Sequence, residues 1–377
     1  MNFELTEERQ MLQDTMRRFL SERYDTATRN AILESEEGYS SDIWAQMAEI
    51  GIIGALFSED DGGFGGAGFD ISTVFEELGR AGVVEPLLDT ALLGGGLIAR
   101  LGNEAQKEML AEVIAGDRHL ALAHGEPESR YDLSRVATRV ESQGGKAILS
   151  GRKAVVVNAE AASHLVVSAR ESGDVDEEPG ISFFLVPADA PGVSMRGYPL
   201  FSGGRAAEIT LDGVELDDAA RLGAAGAGFE ALASQIAAAQ VALAAETLGA
   251  METAAALTRD YLMTRKQFGR PIGSFQALQH RMADMMIELE QARSAVILAA
   301  GHLEDPAPER DRHISAARNL LGRAGRLVAE DSIQMHGGIA MTQEYELAHI
   351  AKRIVMSDHR FGDTDTQLER FIALSAA

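Results

Sequence analysis

Ile181-Ser182-Phe183-Phe184-Leu185-Val186 sits between Pro179-Gly180 and Pro191-Gly192, an apolar run closed on both sides by turn residues. A run of that length and punctuation reads as a strand. Outward from it lie further short runs rich in Val, Ile and Leu: Val136-Ala137-Thr138-Arg139-Val140, Val155-Val156-Val157, Leu165-Val166-Val167 and Ile209-Thr210-Leu211. Gly144-Gly145, Gly173 and Gly203-Gly204 separate them. The pattern predicts an antiparallel β domain of about a hundred residues, between positions 119 and 222.

On both sides the periodicity changes to that of helices. Leu12, Met16, Phe19 and Leu20 fall on one face at helical spacing, and helical stretches follow over 71–78 and 87–101. Gly79, Pro86 and Gly94-Gly95-Gly96 punctuate these stretches. After a glycine-rich hinge at 223–228, Met282, Met285, Leu289, Ala292, Val296 and Ala299 form one stripe at steps of three and four. Positions 310–335 form another long helix, stopped by Gly337-Gly338. Long helices joined by short loops predict a bundle. The fold expected is an α+β multidomain chain: an N-terminal all-α domain over 1–118, a middle antiparallel β-barrel or sandwich domain over 119–224, and a C-terminal four-helix-bundle domain over 225–377.

The net charge of −24 repels nucleic acid and anionic lipid, and any anionic ligand needs cations placed locally. The absence of cysteine excludes disulfides, thiolate metal sites and cysteine nucleophiles. The nine histidines show no His-Glu-x-x-His or similar ligand spacing, so no metal is expected. No run of 18 apolar residues appears, and the acidic start lacks the order of a signal peptide. These features predict a cytoplasmic protein with no nucleic-acid or membrane partner.

Gly63-x-Gly65-x-x-Gly68 matches the dinucleotide fingerprint as a string, but no strand precedes it and Glu59-Asp60-Asp61 stands before it. It reads as a structural loop. The segment from Tyr261 to Gln276 differs: a helix stops at Gly269, Arg265 lies in its last turn, Phe268 anchors the turn, and Gln276 begins the next helix. Arg265 offers a planar fork of donors to a phosphate. Equally, a basic helix end can simply complement its own dipole. Gln334-Met335-His336-Gly337-Gly338 offers backbone amides without a Cβ in the way, as a pyrophosphate needs, or else an ordinary glycine cap. His336 by itself reads as structural.

Taken together, the chain resembles the acyl-CoA dehydrogenase family over essentially its whole length. Arg265-x-x-Phe268-Gly269 with Phe275-Gln276, and Gln334-x-x-Gly337-Gly338 about seventy residues later, carry the likeness. Leu5-Thr6-Glu7-Glu8-Arg9-Gln10, Glu126-Pro127, Gly151-x-Lys153 and Asn158 are similar to the family too. Phe361-Gly362-Asp363 and Arg130-Tyr131-Asp132-Leu133 are similar, more narrowly, to the small subunits of the pimeloyl-CoA type. The resemblance implies an oxidoreductase of the β-oxidation kind, acting on CH–CH bonds. A carboxylate removes the α proton of an acyl-CoA thioester, the β hydride passes to FAD, and an electron-transfer flavoprotein reoxidises the flavin. It also implies a homo- or hetero-oligomer, a dimer of dimers, with each flavin across a subunit boundary. By the same resemblance, Arg265, Gln267, Phe268, Gln276, Gln334, Gly337 and Gly338 hold the ADP end of FAD.

The rest of the implied site is poorly matched. Where the family has a tryptophan and a hydroxyl residue against the flavin ring, this chain has Val155 and Val157, and Val157 cannot donate a hydrogen bond. Arg130-Tyr131 replaces a Gly-Ser. The family's usual catalytic Glu falls at Gly362, and its alternative base position falls at Ala239-Gln240. Asp363 is one residue off and reads as a helix N-cap, while Glu230 has no special claim. The missing groups serve a chain's own flavin ring and substrate, whereas the surviving ones serve a neighbour. The expectation is a subunit that lends phosphate ligands to a paralogous catalytic partner. Its alternatives are an active homotetramer using Asp363, or a flavin-free acyl-CoA-binding or assembly subunit.

Overall fold

The computed structural model describes residues 5–376. Helices α1 (Glu7–Arg23), α2 (Thr26–Glu34), α3 (Ser41–Glu49), α4 (Gly68–Ala81), α5 (Gly96–Leu101) and α6 (Glu104–Ile114) come first. Strands β1 (Leu120–Ala123), β2 (Arg139–Gln143), β3 (Lys146–Val157), β4 (His164–Arg170), β5 (Ile181–Pro187), β6 (Val193–Pro199), β7 (Arg205–Asp217) and β8 (Arg221–Leu222) follow. The chain then forms α7 (Phe229–Thr264), the short strands β9 (Lys266–Gln267) and β10 (Arg270–Pro271), α8 (Gln276–Gly301), α9 (Ala307–His336), α10 (Glu346–Ser357) and α11 (Thr364–Ala376). The α, β, α order is the one expected. By contacts the chain divides into two compact units, one of Met1–Ala31, Ala67–Val83 and Gln240–Ala377, the other of Ile32–Gly66 and Val84–Ala239.

In the first unit, α1 begins at Thr6, whose hydroxyl accepts the Arg9 N–H at 3.3 Å, with Glu7 and Glu8 in the first turn and Arg23 in the last. These charges complement the helix dipole. Its inward face holds Met16 and Leu20, two of the residues read from the periodicity. Helix α4 does not stop at Gly79 as expected. A Cβ on Gly79 would stand 1.9 Å from the Glu246 carbonyl oxygen, and one on Gly249 would stand 2.0 Å from that of Glu76. These glycines therefore let α4 and α7 cross backbone to backbone. Arg80 bonds Glu76 at 2.8 Å and also pairs with Glu252, which in turn pairs with Arg293 of α8.

Helices α8, α10 and α11 all pack on α9. Buried Arg318 donates to the carbonyls of Ser357 (2.8 Å) and Arg360 (3.2 Å), satisfying acceptors at and just beyond the end of α10. Among the described residues α7 is the one helix long and apolar enough to cross a membrane, and 83% of its apolar window is buried within the protein.

In the second unit the strands form one sheet in the order β6-β7-β3-β2-β4-β5-β8, with β1 beside β4. The pairing is antiparallel except that β1 and the first residue of β2, Arg139, pair parallel with β4, a departure from the all-antiparallel expectation. Strand β5 contains the opening stretch and is buried along nearly its whole length, pairing β4 with Val166 opposite Leu185. The core collects Leu149, Val156, Leu165, Val167, Phe184, Val186, Ile209 and Leu211. Strand β2 starts at Arg139, so the predicted run at 136–140 is strand only at its end. The stretch 87–101 is helical through its glycines: a π-helical segment, Leu88–Gly95, leads directly into α5.

Candidate functional site

Helix α7 ends at Thr264, earlier than the expected stop at Gly269. The reason is the turn that follows. Gln267 pairs with Arg270 and Lys266 with Pro271, leaving Phe268 and Gly269 as a two-residue connection with φ of 55° and 79°. Two left-handed residues make the tight turn that suits a strand pair and cannot continue a helix. Phe268 is not an anchor. It is 90% exposed, and its ring meets Phe275 only edge-on, with centroids 6.1 Å apart. The Arg270 guanidinium lies 4.2 Å from the Phe275 centroid. Arg265 follows the helix directly, its N–H donating to Tyr261 at 2.8 Å, and among the described residues its exposed guanidinium has no partner. Gln276 opens α8 as expected, and the side chains of Gln267, Gln276 and Gln334 are exposed.

Helix α9 ends at His336, and Gly337 follows with φ of 69°. Among the described residues nothing lies within 4 Å of a Cβ built on Gly337 or Gly338. The space over both amides is open, so packing is not what calls for two glycines there. His336 is the fastening. Its Nδ1 donates to the Ser332 carbonyl at 2.8 Å, its Nε2 accepts from Tyr345 at 3.1 Å, and its ring stacks on Tyr261 with centroids 4.5 Å apart. Burial keeps the His336 pKa below its ordinary value, favouring the neutral ring this arrangement needs. The stack joins the end of α7, which leads into Arg265, to the end of α9, which leads into the Gly337-Gly338 turn. A guanidinium and three carboxamides without partners among the described residues, exposed Lys266 and Arg270, and an uncovered glycine pair fit a diphosphate.

In the β unit, Lys153 is buried and donates to Glu126 at 2.8 Å and to Ser168 at 2.9 Å. The Glu126 carboxylate also accepts from the N–H groups of Ala137 (2.7 Å) and Thr138 (3.0 Å). Burial would raise the Glu126 pKa, but the Lys153 charge and these bonds hold it below the usual range. Burial also pulls Lys153 down to about 8, against the opposing pull of Glu126. Asn158 donates to the Thr90 hydroxyl at 3.0 Å. The motif residues Glu126, Lys153 and Asn158 thus brace the sheet. Val155 stands at a bulge between Lys153 and Val156, with φ of 52° and 57% exposed. A β-branched residue in that region is strained. Arg130, in a place where the resemblance has glycine, has φ of 46°. His124 and Ser168, which complete the Lys153 cluster, carried no signal in the sequence.

The two base positions are closed. Gly362 has φ of 112°, and a Cβ built there would meet the Gln367 Nε2 at 2.6 Å. Gln367 is 1% exposed and donates to the Gln240 Oε1 at 2.9 Å and to the Phe361 carbonyl at 3.0 Å. One buried carboxamide therefore sits against the backbone of the first base position and bonds the side chain of the second. Asp363 is the N-cap of α11, its Oδ1 accepting from the Thr366 N–H (2.9 Å) and hydroxyl (2.7 Å). Glu230 is exposed at the start of α7.

Family profiles described as the acyl-CoA dehydrogenase N-terminal, middle and C-terminal domains match residues 6–117, 121–217 and 226–373. A probable acyl-CoA dehydrogenase of Bacillus subtilis, YngJ, is 28% identical over 99% of this chain and 98% of its own. Among solved structures, a variant of the Tcur3481–Tcur3483 steroid ACAD is 31% identical, covers 98% of both chains and superposes with a TM-score of 0.87. The ChsE4–ChsE5 complex from Mycobacterium tuberculosis is 26% identical over 100% of this chain and 99% of that one, with a TM-score of 0.88. With its three regions matched in order and near-complete coverage at 31% identity, the chain belongs to the acyl-CoA dehydrogenase family, FAD-dependent oxidoreductases that act on CH–CH bonds.

Proposed function

We propose that this chain is the supporting subunit of a heteromeric acyl-CoA dehydrogenase, lending phosphate ligands to an FAD seated mainly in a paralogous partner that carries the base. One contrast carries the reading: the diphosphate cradle is open while the base site is shut. Arg265, Gln267, Phe268, Gln276, Gln334, Gly337 and Gly338 are all exposed, and Gly362 faces a buried amide instead of a carboxylate. In this assignment Arg265 supplies charge-assisted bonds to phosphate and the Gly337-Gly338 amides supply close backbone donors. FAD, when bound, supplies hydride acceptance. No group of this chain at either base position can take a proton.

Two similar structures, the Tcur3481–Tcur3483 steroid ACAD and the ChsE4–ChsE5 complex, are each named for two chains, which supports an assembly of unlike subunits. Within it the domains at 1–118, 119–224 and 225–377 act as a dimer of dimers, with an electron-transfer flavoprotein as acceptor. The steroid ACAD likeness favours a bulky steroid-derived acyl-CoA, and the narrower pimeloyl-type likeness a dicarboxylic one. The homotetramer reading loses its base, since Asp363 is engaged as a cap. The flavin-free reading leaves the uncovered Arg265 and glycine pair without a use.

Anaerobic acyl-CoA addition tests the reading. The chain reconstituted alone with FAD should leave any bound flavin oxidised, and the assembled pair should bleach it. Bleaching by this chain alone would overturn the proposal. A panel of steroid-derived, dicarboxylic and straight-chain thioesters identifies the acyl group.

A further inference from the structure

Helix α9 has a second chemically distinctive end. His336 lies at its C-terminus, and roughly 35–40 Å away, at 1.5 Å per residue, its first turns carry Glu309 and His313. These two are one turn apart on the same face. The short connection from α8 brings His302 against them. One ligand atom from each of His302, Glu309 and His313 lies within 4.8 Å of the others. The imidazoles of His302 and His313 stack with centroids 3.8 Å apart and planes at 9°. Sequence spacing alone does not reveal this group, because the third residue arrives through the helical hairpin.

We propose that His302, Glu309 and His313 form a binding site for a borderline divalent cation such as zinc, independent of the flavin. Two imidazoles and a carboxylate are the donor set zinc takes, with a position left for water, whereas magnesium and calcium take oxygen ligands. Asp305 already holds His302 as a metal-binding histidine is held: its Oδ2 is 2.5 Å from the His302 Nδ1. A carboxylate only accepts there, so in the neutral ring the proton sits on Nδ1 and the lone pair on Nε2, the arrangement a metal-bound histidine has. The connection is itself fixed, since the Gly68 N–H donates to Glu304 at 2.8 Å and the Asp305 N–H to the His302 carbonyl at 3.2 Å. Tetrahedral ligands of zinc stand roughly 3.3 Å apart, so the three side chains, now within 4.8 Å, must turn inward on the ion and the two imidazoles must leave their parallel stack. The net charge of −24 favours any divalent cation near the surface. A bound ion would clamp the end of α8 to the start of α9.

The test is calorimetric titration of zinc into the untagged, chelator-stripped full-length chain, with thermal melts in zinc and in magnesium. One site per chain of micromolar affinity is expected, with a rise in the thermal midpoint given by zinc alone. E309Q and H313A should each weaken binding at least about tenfold, and D305N should weaken it at least that much through orientation of His302. Glu309 is exposed, so E309Q keeps the fold, and circular dichroism checks this. No zinc uptake by the native chain, or uptake unchanged in both E309Q and H313A, overturns the site. Flavin content of the assembled enzyme stays the same in E309Q, which separates this result from the fate of the flavin proposal.

Discussion

The rings of Tyr261 and His336 stack with centroids 4.5 Å apart and planes at 25°. Arg265 follows Tyr261 by one helical turn, and Gly337 follows His336 directly. A single aromatic contact thus ties together the two helix ends that lead into the guanidinium and into the glycine turn, distant in sequence. The contact needs a neutral imidazole wedged between a backbone acceptor and a tyrosine hydroxyl, and the helix ends supply both.

R265M removes the unpaired guanidinium and leaves the rest in place. A charge-assisted bond to phosphate contributes about 1.5–3 kcal/mol, so FAD affinity of the assembled enzyme should fall roughly 10- to 100-fold. The thermal midpoint of the chain should hardly move, because the Arg265 guanidinium bonds nothing among the described residues and its backbone bonds are kept in R265M. Fluorescence titration of FAD against a melt of the same sample checks both halves.

Asp363 separates cap from base. D363A should destabilise the chain by about 1 kcal/mol through the lost bonds to Thr366, while D363N should be near neutral because asparagine caps equally well. Turnover of the assembled enzyme should survive D363N. A large loss of turnover in D363N, with stability intact, would falsify the cap assignment and revive Asp363 as the base.

How much of this was legible follows from where the signals sit. Strand β5, Gln276 at the head of α8 and the stop after His336 announce themselves through turn residues and periodicity. Gly79 and Gly94-Gly95-Gly96 read as breaks but lie inside helices, and in the case of Gly79 close helix approach, a tertiary fact, outweighs local preference. Phe268 reads as an anchor and instead points outward, because its turn has both central residues left-handed. Gln367 was invisible: a glutamine on a polar helix reads as surface. Only the packing of α11 sends its amide to Gly362 and Gln240.

K153M tests the buried pair in the sheet. Removing the ammonium strands the Glu126 carboxylate and should cost about 3–5 kcal/mol. The double variant E126Q/K153M should recover part of that loss. Urea denaturation of the three variants measures the coupling, and simple additivity of the two single losses would contradict it.

Two histidines of the β unit, His124 buried and His119 half-buried, set an acid limit. Burial, then the Lys153 charge, pushes His124 down to about 3, and burial pushes His119 down to about 4. Both are below the ordinary value near 6.5, so the unfolded chain binds the additional protons as pH falls. Their stability contribution is complete above about pH 6.5 and is lost progressively toward 4 and below, at up to about 1.4 kcal/mol per unit for each group. The urea midpoint should therefore drop across that window, and H124Q should flatten the drop. An unchanged pH profile in H124Q would remove His124 as a cause.

Flavin counting decides the central question. The chain should be co-expressed with its paralogous partner, purified as a complex, and its FAD released and quantified against the two polypeptides. One FAD per pair of unlike chains is the predicted result, with little or none retained by this chain expressed alone. One FAD per chain in the isolated protein would contradict a subunit whose flavin-binding groups are lent rather than used.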